Sequence, residues 1–139
     1  MKSLKIFCLS LNPSHKSIID KLGYVPVGLG DESFSQGWLN DKTDINISPK
    51  NKFYGEYTFH YWLWRNNQLD FEGWIGFCQY RKFWKKNLDS FDDNNFDAFK
   101  NILLKEIPEN LNQYESIIGE DMFINQFRFS KFIKHNFKT

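Results

Sequence analysis

The chain has 139 residues, of which 41% are hydrophobic and 25% charged, with a formal net charge of +1. That is room for one domain with its own core and too little for two ordinary ones, and the charge balance offers no bulk attraction for nucleic acid or an anionic membrane. No apolar run approaches the roughly 18 residues of a membrane-spanning helix, and two cysteines without a CxxC make neither a disulfide framework nor a zinc site.

The basic start and short apolar patch of "MKSLKIFCLSLNPSHK" read as a first strand rather than a leader, because the patch is short and runs straight into Asn12-Pro13. Residues 4–11 are a continuous apolar run, as in a parallel strand buried on both faces. A helix is expected next, capped by Ser14, with Ile18, Ile19 and Leu22 on one face and Gly23 as its stop. Residues 24–27 make a second strand, which Pro26 assigns to an edge or terminal position. Strand, helix and strand in so short a span argue an α/β sheet. Residues 30–48 have no period and read as a long loop anchored by Phe34, Trp38 and Leu39, the kind of loop that tends to carry function.

Ser48-Pro49 then opens a helix expected over residues 49–66, with Ser48 as cap and Pro49 at the first helical position. Phe53, Tyr57, Tyr61 and Trp64 trace one stripe on it; Lys52, Glu56 and His60 share another face. Residues 74–80 form a third strand and residues 85–95 a polar loop. An amphipathic helix over residues 96–107 stops at Pro108. A last strand is expected over residues 114–124, broken at Gly119, and a basic aromatic helix over residues 126–139. Cys8 and Cys78 fall in the buried strands and read as reduced core thiols. Aromatic residues are 19% of the chain, with fifteen Phe, six Tyr and five Trp. That exceeds what a small core needs, so some rings are expected to line a site or a covered face.

There is no GxGxxG, phosphate loop, HExxH or nucleophile elbow. His15, His60 and His135 lack ligand spacing, and no Asp-x-Asp follows a strand. What remains is a three-part pattern: "DINIS" (Asp44 to Ser48) leading to a helix start, Asn51 and Glu56 among rings, and "GFCQYR" at a strand end. Ligands in open α/β sheets sit beyond the carboxyl ends of strands. A helix start suits a phosphate, Arg81 is a bidentate anion partner, and Tyr80 or Trp84 can stack on a base or sugar. From spacing alone a plainer reading stands beside this one: Ser48 merely caps, Glu56 pairs with Lys52, and Arg81 pairs with a surface acid.

"NISPKNKFYGEYTFHYWLWRN" followed by "WIGFCQYRKFW" resembles the signature of a bacterial family attached to capsular and exopolysaccharide gene sets, whose members are read as glycosyltransferases with a GT-A-like fold. The family pattern is Asn-Ile-Ser, an Asn, a Glu before a Tyr-Trp-x-Trp run, then a Gly-rich strand ending in His-Tyr-Arg-Arg and an aromatic. Asn46, Ile47, Ser48, Asn51, Glu56, Tyr61, Trp62, Trp64, Asn66, Gly76, Tyr80, Arg81 and Phe83 match. The resemblance is dense over residues 43–84. The chain departs from it at Gln79, where the family has His, at Lys82, where it has Arg, and at Ile45, where an acid is expected directly before Asn46. Gln79 cannot shuttle a proton at neutral pH.

The resemblance implies an α/β, mostly parallel, GT-A-like sheet flanked by helices, shortened at its C-terminal side and forming a single glycosyltransferase-like domain over residues 1–139. It implies transfer of a sugar from a nucleoside diphosphate sugar to a bacterial surface glycan or lipid-linked acceptor, in the cytoplasm or at the inner face of the membrane. Arg81, with Lys82 and the helix start at Ser48, would stabilise the leaving diphosphate, so no metal cofactor is expected. Glu56 would orient a hydroxyl or act as base. Asp44, Asn46, Ser48, Asn51, Gln79, Tyr80, Lys82 and Trp84 would bind substrate. No nucleic-acid partner is expected. The final helix, with Phe127, Phe129, Phe132, Ile133 and Phe137 among basic residues, packs on the sheet, or else meets a partner protein or touches the membrane. The alternative from another class is a non-catalytic sugar- or nucleotide-binding module, or a subunit whose site a partner completes.

Overall fold

A computed structural model describes residues 3–68, 72–86 and 95–119. Four strands, β1 (Ser3–Ser10), β2 (Val25–Gly28), β3 (Leu39–Asn40) and β4 (Gly73–Gln79), form one sheet in the order β3-β2-β1-β4, and every neighbouring pair is parallel. The helices are α1 (Lys16–Leu22), α2 (Asn51–Tyr54), α3 (Tyr57–Arg65) and α4 (Phe96–Ile102). The α/β class expected from the sequence is therefore present, with β1 as its central strand.

The alternation along β1 sorts the core into two layers. Ile6 and Cys8 face Ile19 and Leu22 of α1, together with Tyr24, Trp38 and Leu103. Phe7 and Leu9 face the other way, onto Phe59, Trp62 and Leu63 of α3. Phe59 is wholly buried and meets Phe7 and Phe77 edge-on while stacking on Trp62. Cys8 and Cys78 are opposite one another on β1 and β4, free and buried. Gly28 has no side chain because the Phe34 ring lies against it; a Cβ there would come within 2.4 Å of the ring.

Several expected elements differ. A 3-10 turn (Pro13–His15) precedes α1, and its cap is Asn12, whose side chain accepts the Ser14 N–H, rather than Ser14. Inside the long loop lies β3, too short to leave an alternating pattern. Pro26 sits one residue before β2 begins pairing with β3, so that side of the strand has no neighbour there. The single helix expected over residues 49–66 is three pieces: a 3-10 turn (Ser48–Lys50), then α2, then α3 after a break at Gly55. Gly55 has φ 53 and ψ −132, a backbone region essentially closed to other residues. The buried face of α3 is Thr58, Phe59, Trp62 and Leu63, while Phe53, Tyr57 and Trp64 of the stripe are exposed.

The helix expected to reach Pro108 ends at Ile102; Leu103, Leu104 and Ile107 follow in non-helical chain and are buried. Residues 114–119 contain no strand. The rest of that expected strand, most of the loop after Lys86, and the basic C-terminal helix lie outside the described residues. The strand carrying the QYRKFW stretch is not central: among the described residues β4 pairs with β1 alone.

Candidate functional site

Parallel strands bring their carboxyl ends to one edge of the sheet, and a cleft of about 530 Å³ opens there. Ser10 and Asn12 come from the end of β1, His15 from the turn that follows, Asn51, Lys52 and Glu56 from the broken helix, and Gln79, Tyr80 and Arg81 from the end of β4. A second depression of about 550 Å³ lies on the far side of Glu56 and Gln79, which line both; His60, Lys82, Phe83 and Trp84 complete its wall. Gln79 Nε2 donates to Glu56 Oε2 at 2.7 Å, so this pair forms the partition between the two spaces.

The break at Gly55 is what aims Glu56. Asn51 Nδ2 donates to the Gly55 carbonyl at 2.9 Å and to Thr58 Oγ1 at 3.1 Å, and Thr58 Oγ1 donates to the same carbonyl at 3.0 Å. Two of these bonds take up the Gly55 carbonyl, an acceptor that a continuous helix would have satisfied itself. On the opposite wall, Tyr80 N–H donates to the Leu9 carbonyl and Lys82 N–H to the Gln79 carbonyl, closing a tight turn over Tyr80 and Arg81. Arg81 is the third residue of that turn and has φ 74, a place where Gly or Asn is preferred. Its side chain is exposed and makes no ion pair among the described residues.

Of the residues named from sequence, Asn51, Glu56, Gln79, Tyr80 and Arg81 converge on the main cleft. Lys82 and Trp84 face the second depression instead. Trp84 is tethered there, its Nε1 donating to the Phe77 carbonyl at 2.8 Å. One face of Tyr80 is covered by His15, at 3.5 Å between ring centroids and 14° between planes. Ser48 lines a smaller neighbouring depression with Asn51 and Lys52. Its N–H and Oγ both donate to Asn46 Oδ1, at 3.2 and 3.0 Å, so it is braced by Asn46 and caps nothing. The helix start expected to hold an anion is thus a 3-10 turn leading into a four-residue helix.

Asp44 and Asn46 line neither of the two larger spaces. Asn46 Nδ2 donates to the carbonyls of Lys42, Thr43 and Asp44, so both ends of its amide serve its own loop. Asn66 exchanges hydrogen bonds with the Ile45 backbone in both directions, and Trp62 Nε1 donates to the Thr43 carbonyl. Of the positions that carry the resemblance, Trp62 and Asn66 therefore fasten residues 43–45 to α3, while Asn46 braces the loop from within.

The polar and charged cleft residues that were not visible as site residues in the sequence are Ser10, Asn12, His15 and Lys52. The rule that places ligands beyond strand ends applies to β1 as much as to β4, and is the signal that reaches the first three. Burial, and next to it the Arg81 cation, hold the His15 pKa below its ordinary value. Burial also lowers that of His60, partly offset by Glu56. His60 Nε2 is buried without a hydrogen-bond partner among the described residues. Neither Glu56 with Lys52 nor Arg81 with an acid forms an ion pair among the described residues. No group of three or more His, Cys, Asp or Glu among them is placed to hold a metal ion, and no helix among them is long and apolar enough to cross a membrane.

The chain belongs to the family described as "Domain of unknown function (DUF4422)", whose model matches residues 9–138. No match was found among curated proteins or among solved structures.

Proposed function

We propose that this member of the family is a glycosyltransferase that moves a sugar from a nucleoside diphosphate sugar to a hydroxyl of a bacterial surface glycan or lipid-linked acceptor, on a GT-A-like fold. The observation that carries the reading is the convergence of Asn51, Glu56, Gln79, Tyr80 and Arg81, from two distant segments, on one cleft at the carboxyl edge of a parallel sheet. Such edges are where open α/β sheets hold nucleotides. Arg81 and Lys52 supply fixed cations for the diphosphate, and a guanidinium suits its paired oxygens. In the transfer, the bond from the anomeric carbon to the diphosphate oxygen breaks and one to the acceptor oxygen forms. The acceptor proton passes to Glu56, and that this carboxylate lines both depressions supports a role between donor and acceptor. Lys82, Phe83 and Trp84 line the acceptor side. The charge that builds on the leaving diphosphate is met by Arg81.

A panel of nucleotide sugars tests this by thermal shift and by transfer or hydrolysis, each with and without excess chelator. A donor at about 100 times its dissociation constant stabilises the fold by about 2.7 kcal/mol, and binding is expected to persist in chelator because Arg81 and Lys52 do the work of a metal. Binding without turnover would favour the non-catalytic module. Binding that vanished in chelator and returned with manganese would remove Arg81 as the principal counter-ion. No binding by any donor would remove the reading.

A further inference from the structure

His15 closes the turn after β1 and stacks on Tyr80 inside the cleft. Its Nδ1 lies 2.8 Å from Ser10 Oγ. Ser10 is buried; its hydroxyl accepts the Asn12 N–H at 3.0 Å and has the Asn12 carbonyl at 3.3 Å as a second acceptor for its own proton. The hydroxyl therefore has two settings. It donates to a bare Nδ1, or it turns its proton to the Asn12 carbonyl and accepts from Nδ1–H. The second setting serves an imidazolium as well as a neutral ring, so protonating His15 leaves no buried polar group unsatisfied. Nε2 has no hydrogen-bond partner among the described residues.

The charged and titratable groups facing His15 are Tyr80 and Arg81 from the turn after β4, and Lys52 and Glu56 across the cleft, with Glu56 held by Gln79. On the helix that follows it, α1, Lys16 is paired with Asp20 at 2.6 Å, and Lys21 faces the neighbouring depression with Arg81. Burial and Arg81 both oppose a charge on His15. A bound anion reverses the balance: it screens Arg81 and attracts the imidazolium, which the Tyr80 ring face also favours.

We propose that His15 is a phosphate-binding residue of this cleft that becomes charged only when the site fills. A diphosphate against Arg81 draws a proton onto the ring, which then donates through Nδ1–H to Ser10 and through Nε2–H to a phosphate oxygen. The inference rests on the nucleoside diphosphate reading of the cleft. Because the complex holds more protons than the free protein, affinity rises as pH falls.

The test is calorimetric titration of the full chain with UDP-glucose and GDP-mannose in buffers of different ionisation enthalpy. Sugar diphosphates are used because a terminal phosphate would titrate itself, with a pKa near 6. For whichever sugar nucleotide binds, proton uptake is expected at about pH 7, with affinity falling roughly three- to tenfold between about pH 6 and 8, since one pKa unit is a factor of ten. His15→Gln should bind with neither effect. Should that variant fail to fold, the NMR titration of the wild-type His15 ring with and without the nucleotide reads the same protonation, and an unshifted pKa overturns the proposal. Wild-type binding with a flat pH profile and no buffer dependence also overturns it while the diphosphate reading stands. Proton uptake that persists in His15→Gln belongs to another group and overturns it likewise. Where neither binds, the titration is made with the donor that the nucleotide-sugar panel identifies, and binding by no donor overturns both.

Discussion

Arg81 combines two properties that pull apart. Its φ of 74 is a conformation that costs a non-glycine residue about 1–2 kcal/mol, yet its guanidinium is one of two exposed cations of the main cleft, with Lys52. Arg81→Gly is therefore expected to raise stability by roughly 1 kcal/mol, a few degrees in Tm. The same change should weaken nucleoside diphosphate binding about ten- to a hundredfold, the loss of a charge-assisted contact. Arg81→Lys should recover only part of that affinity. Unchanged affinity in Arg81→Gly would take the residue out of the site. The histidines give a second expectation. His15 and His60 both have lowered pKa values, for burial first in each case. The unfolded chain then takes up protons first as pH falls. Stability is full above about pH 6.5, the ordinary histidine value, and declines below it until the folded values are passed. Urea midpoints from about pH 6.5 down to 5.5 should show this decline, and its slope should flatten in a His15→Gln, His60→Gln double variant. Cys78 is pushed far up by its hydrogen bond to Cys8 and by burial. Both thiols should resist a maleimide in the folded chain and react on unfolding.

At the level of elements, what could be read from sequence is what short-range pattern dictates. The apolar runs gave β1 and β4 within a residue or two, and Gly23 stops α1 at φ 79. Gly55 could not be read, because a lone glycine in a helical pattern is usually tolerated, and its φ and ψ are set by Asn51 and Thr58 contacts made only in the fold. Ser48-Pro49 does open a helical turn, but a 3-10 one with Ile47 at its cap position, and it runs only into the four-residue α2. Asn51, Glu56, Gln79, Tyr80 and Arg81 were legible through the resemblance together with the strand-end rule. His15 lay within reach of the same strand-end rule applied to β1, but its contact with Tyr80 did not show, since no local spacing announces that β1 and β4 are neighbours. The helix break carries its own expectation. Gly55→Ala should destabilise by about 1–3 kcal/mol, the strain of a side chain in that backbone region. It should also impair turnover beyond what stability explains, because Glu56 follows directly. Urea unfolding and transfer rates measured on the same preparation separate the two.

For the molecule as a whole, α3 holds the sheet face that carries Phe7, Leu9 and Val27. Phe59→Ala removes its wholly buried ring and should cost about 3–5 kcal/mol, a large part of the stability of a typical small domain. A midpoint within error of wild type would show that this layer is not the main core. The order of the strands has a further consequence, in time rather than in space. β1 pairs with β2 nearby and with β4 from Ser3 opposite Gly73 to Leu9 opposite Gln79. Joining β4 to β1 closes a loop of about seventy residues, which by chain statistics costs close to 4 kcal/mol beyond a constant. Parallel pairings between such distant segments fold slowly. A chain leaving the ribosome can form β1, α1 and β2 early, but the cleft waits for Gln79, Tyr80 and Arg81 to arrive. A ligand that grips both Ser10's neighbourhood and Arg81 spans the two ends of that loop. It therefore acts as a clasp on the last closure to form, and should slow unfolding more than it speeds folding.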